Sequence, residues 1–83
     1  MDYLKWAESY REQATVISNK IEEFRAKRKQ AKRPEQKYEL DNLIQKYEEI
    51  HYDLITTYRD LKERGENILH KENKNGNTQQ FNV

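Results

Sequence analysis

Residues 25–37 read RAKRKQAKRPEQK, which places seven Lys or Arg side chains and one Glu in thirteen positions of an 83-residue chain with a formal net charge of +1. Pro34 is the only proline, and both glycines lie at or beyond Gly65. Nothing else before residue 65 is a strong break in helical structure. The reading of this stretch decides the fold, because regular apolar spacing runs up to it from one side and away from it on the other.

On the N-terminal side, Tyr3, Ala7, Tyr10, Ala14, Ile17, Ile21 and Phe24 recur at alternating steps of four and three, and the same phase continues to Arg28 and Ala31. That is a heptad seam. On the C-terminal side, Leu40, Ile44, Tyr47, His51, Leu54, Tyr58 and Leu61 form a second seam. One straight helix cannot hold both. Continuing the first phase leads to Glu35, Tyr38, Asn42 and Gln45, whereas the second stripe lies two positions later, a rotation of about 200° at about 100° per residue. Proline is suited to the first turn of a helix and drives the residue before it out of helical angles. The chain is therefore expected to reverse at Lys32 and Arg33.

The fold expected is all-α: an antiparallel two-helix hairpin, coiled-coil-like, with one helix over about 3–31, a turn at 32–33 and a second helix over about 34–64. Asp2 suits an N-cap, and Gly65, after Lys62 and Arg64, suits a left-handed C-terminal cap. Lys27, Arg28, Lys29 and Lys32 complement the carbonyl end of the first helix, and Glu35 the amide end of the second. Folding at 32–33 pairs positions whose numbers sum to about 66, which sets Phe24 near Leu40 and Leu43, and Ile17 near Tyr47 and Ile50. Ile68 and Leu69 are candidates to fold back on Leu4 or Trp6. From residue 70 to 83 the composition is polar and Asn-rich, a flexible tail on compositional grounds.

Only 34% of the residues are apolar and 37% are charged, too little apolar material for a self-sufficient core. Leu4, Trp6, Val16, Leu43, Ile50 and Ile55 lie on or beyond the flank of the seam, so the apolar face is wider than two helices cover. A homodimer, two hairpins forming a four-helix bundle, would cover it. A hairpin docked on another protein is the hetero-complex equivalent.

Catalysis is not expected. The chain has no Cys, which removes thiol chemistry, disulfides and cysteine-ligated metals. Ser9, Ser18, Thr56 and Thr57 have no His at an activating helical spacing, and there is no Gly-rich phosphate loop. Glu48 and His51 make E-x-x-H, a spacing used in bundle di-metal sites. The facing seam offers Tyr10, Ala14 and Ile17 in place of the further carboxylates such a site needs. No cofactor is expected, and His51 reads as a seam histidine. No apolar run has signal-peptide or membrane-span length, so a cytoplasmic location without membrane contact is expected.

Charge is unevenly spread. Residues 25–37 have a local balance of +6, against −2 before them and −4 over residues 38–66. Arg25, Lys27, Arg28, Lys29, Lys32, Arg33 and Lys37 thus form a basic hairpin tip that can bind phosphate, weakly and without sequence preference, as an alternative role on nucleic acid. A basic-region zipper, which Leu40, Tyr47, Leu54, Leu61 and Ile68 superficially match, requires one uninterrupted helix. Pro34 forbids it.

Two resemblances follow from these residues. YLKWA (Tyr3–Ala7), the lysine-rich middle and YRDLKERG (Tyr58–Gly65) together resemble small helical proteins carried by prophages and integrative elements of Firmicutes, which implies an accessory role. ELDNLIQKY (Glu39–Tyr47) resembles the segment after the turn in the short hairpin phosphatases of the sporulation regulator family, which implies activity on a response regulator. That family has a serine in S-x-E-L-D, and here Lys37 occupies its position.

Overall fold

In a computed structural model, which describes the backbone of residues 2–81 and the side chains of residues 2–69, the chain is all-helical. Helix α1 spans Tyr3–Gln30 and helix α2 spans Pro34–Phe81, and the two pack against each other as a hairpin. The molecule measures 73 × 18 × 15 Å. The expected flexible tail, 70–83, lies outside the residues whose side chains are described.

Each boundary has a local cause. The Asp2 carboxylate accepts the Lys5 N–H at 3.0 Å, satisfying one of the amides that a helix start leaves without a partner. At the other end Ala31 leaves the helix for an extended conformation (φ −68°, ψ 134°), while its N–H still donates to the carbonyls of Lys27 and Arg28. Pro34 opens α2, and the Lys37 N–H donates to the Arg33 carbonyl at 3.2 Å. Lys27, Arg28 and Lys29 lie in the last turn of α1 and Glu35 in the first turn of α2, each beside the dipole end that favours its charge.

Both seams face inward as their spacing dictates. Ala7, Ala14 and Ile21 are buried in α1 and Leu61 in α2, and the remaining apolar seam positions are half-buried. Phe24 meets Tyr47 edge to face, with centroids 5.0 Å apart. Arg28 departs from the burial of its stripe. It is exposed, because its guanidinium reaches sideways to Asp41.

The register is one helical turn from the expected one. Leu4 packs on Gly65, Phe24 on Tyr47, Arg25 on Glu48 and Arg28 on Asp41, pairs whose numbers sum to about 70 and not 66. The connection explains the offset. Extended residues climb about 3.3 Å each where helical ones climb about 1.5 Å, so the non-helical connection 31–33, extended at Ala31, lifts the start of α2 beyond the end of α1. A shift of about one turn keeps the same residues inward, which is why the seams survive the change of partner.

Gly65 is not a helix cap. α2 continues through it, and no glycine among the described residues has a positive φ. A Cβ built on Gly65 would lie 2.8 Å from Cγ and Cδ2 of Leu4, so the glycine provides room for α1 to approach and not a left-handed turn. Ile68 and Leu69 consequently remain exposed on a continuing helix and do not fold back on Leu4 or Trp6.

Candidate interaction surface

The six flank residues do not form one surface. Leu43 lines a groove with Lys27, Gln30 and Ala31, on one side of the seam. Ile50 follows Leu43 by seven residues on α2, and Trp6 precedes Lys27 by three heptads on α1, so both share that side. Trp6, Leu43 and Ile50 are 44%, 38% and 37% exposed. Trp6 also stacks on Tyr3, with centroids 6.3 Å apart.

Ile55 lies on the opposite side, where it lines a groove with Ser18, Arg25 and His51. Leu4 is half-buried against Gly65. Val16, at 59% exposure, is turned further out on α1 than Trp6. Positions 43, 50 and 6 therefore make one open flank, and positions 4, 16 and 55 do not contribute to it. The division depends on which side of each seam a residue lies, and the packing of the hairpin joins the Leu43 side of α2 to the Lys27 side of α1.

The two flanks also differ in charge pairing. On the Ile55 side Arg25 bridges to Glu48 at 3.0 Å and to Glu22 at 3.3 Å, and Arg28 forms a two-pronged bond to Asp41, its Nη2–Oδ2 arm at 3.3 Å. The hydrogen bond and the charge of Asp41 raise the Arg28 pKa above its ordinary value. These exposed pairs clamp the two helices at the tip. They were not foreseen from sequence, since each partner is identifiable only after the register is known.

The basic tip is thereby divided. Arg25 and Arg28 are occupied by carboxylates, whereas Lys27, Lys29, Lys32, Arg33 and Lys37 are exposed and make no ion pair among the described residues. His51 is half-buried on the seam, and the neighbouring Glu48 carboxylate is held by Arg25. Among the described residues no three His, Asp or Glu side chains gather as metal ligands, and no helix is long and apolar enough to cross a membrane. No protein-family model, curated protein or solved structure matches the chain.

Proposed function

We propose that this hairpin is a non-catalytic protein–protein interaction module whose working unit is a homodimer joined through the flank of Trp6, Leu43 and Ile50. The observation that carries the reading is the thinness of the core: among the described residues two alanines, one isoleucine and one leucine are the buried apolar residues, while Leu43, Ile50 and Trp6 stay more than one-third exposed. Two helices of this composition gain little by pairing alone. Covering the open flank with a second copy adds the missing burial at about 25 cal/mol per Å² of apolar surface.

Light scattering at micromolar concentration tests it. The expected mass is twice the 10.2 kDa of the chain. Ile50→Asp is expected to give a monomer, because the carboxylate would lose its hydration in an apolar contact. Val16→Asp, off the flank, is expected to leave the dimer intact. A folded wild-type monomer throughout the concentration range would overturn the reading.

The five tip cations without ion pairs favour a second reading, an accessory protein that touches nucleic-acid phosphates through the tip. Of the five, Lys27 borders the apolar flank beside Leu43. Both surfaces can operate in one molecule.

A further inference from the structure

The open flank has an arrangement that selects how a second copy lies on it. Along α2, Leu43, Ile50 and Thr57 recur every seven residues, and Lys46 and Asp53 stand on the outer edge of that stripe. Lys46 and Asp53 are exposed, and neither makes an ion pair among the described residues. Ile50 is the middle residue of that stripe, seven residues from Leu43 and seven from Thr57.

We infer that two hairpins pair antiparallel through α2, with Ile50 on the two-fold axis; this rests on the dimer proposed above and specifies its geometry. Three observations converge on it. An axis through Ile50, an exposed isoleucine, makes that stripe self-complementary. The same axis sets Leu43 against Thr57 of the second copy, and Lys46 beside Asp53 of the second copy, twice by symmetry. It also sends the two basic tips, each with a local charge of +6, to opposite ends, where a parallel pairing would bring them together. Like charges at that density repel, and Glu35, the one acidic residue within 25–37, is already counted in that balance.

The absence of Cys from the chain makes single-cysteine cross-linking a clean test. Packed helices lie about 8–10 Å apart between axes, with Cα atoms about 2.3 Å out from each, so two residues facing across the axis come within disulfide range. Ile50→Cys is expected to form a disulfide-linked dimer on mild oxidation. Gln36→Cys and Arg64→Cys, each about 42 Å from its own copy by helical rise, are expected not to self-link. Mixed together, they are expected to link to each other. Charge reversal gives an independent readout: Lys46→Glu is expected to weaken the dimer roughly tenfold by setting like charges together twice, and Lys46→Glu with Asp53→Lys to restore it.

Efficient self-linking of Gln36→Cys and of Arg64→Cys would show a parallel pairing and overturn the inference. So would a dimer by light scattering in which Ile50→Cys does not link, and in that case the homodimer itself would stand. A monomer by light scattering would overturn both.

Discussion

Replacing Gly65 with Ala tests the tightest packing in the hairpin, because two opposing effects act at the same atom. In an exposed helix interior the change stabilises by about 1 kcal/mol, since Gly loses more backbone freedom on folding than Ala. Here the added Cβ would lie 2.8 Å from Cγ and Cδ2 of Leu4 and 3.1 Å from its backbone N. Carbon atoms in good contact sit about 3.5–4.0 Å apart. Either Leu4 abandons its rotamer or the first turn of α1 backs away, and overpacking of this kind costs about 1–3 kcal/mol. The expected net result is a loss of about 1 kcal/mol. In a Leu4→Ala background the obstructing side-chain atoms are gone, so the same glycine change is expected to stabilise, by about 1 kcal/mol. The coupling between the two sites is then about 2 kcal/mol. Urea unfolding followed by far-ultraviolet circular dichroism, at one fixed chain concentration because dimerisation adds a concentration term, measures all four corners of the cycle. Equal stabilisation by Gly65→Ala in both backgrounds would refute the close approach and return Gly65 to an ordinary helical position.

Ala14 is 2% exposed on the seam, so Ala14→Leu is expected to cost about 1–3 kcal/mol, whereas Val16→Leu two residues on is expected to stay within about 0.5 kcal/mol; thermal melts of the pair check this. The tip reading is checked by titrating duplex and single-stranded nucleic acid at about 50 and 200 mM salt, where each neutralised phosphate adds about 0.9 to the salt slope on a duplex. Weak binding at the lower salt that is lost at the higher one is expected, and Lys29→Gln, Lys32→Gln and Arg33→Gln together are expected to abolish it while leaving the dimer mass unchanged. Wild-type binding by that triple variant would exclude the tip as the contact.

The sequence by itself determined the two helices, their reversal and their inward faces. Each of these depends on a period or on a residue with a restricted backbone: the four-three spacing of Tyr3 to Phe24 and of Leu40 to Leu61, the phase break between them, Pro34 at the start of α2 and Asp2 at the start of α1. Such properties are local, and a shift of partner leaves them intact. What only the tertiary structure decided is the register and all that hangs from it. The non-helical connection 31–33, extended at Ala31, climbs farther per residue than a helix does, and no spacing within either helix records that climb. Moving the pairing by one turn placed Leu4 on Gly65, which changed the glycine from a cap into a point of close approach within a longer helix. It also brought Arg28 to Asp41 and Arg25 to Glu48. The separation of Leu43 and Ile50 from Ile55, by contrast, follows from their heptad positions on α2 alone. A side chain's exposure belongs to the pair of helices, and each helix alone specifies only which way the side chain points.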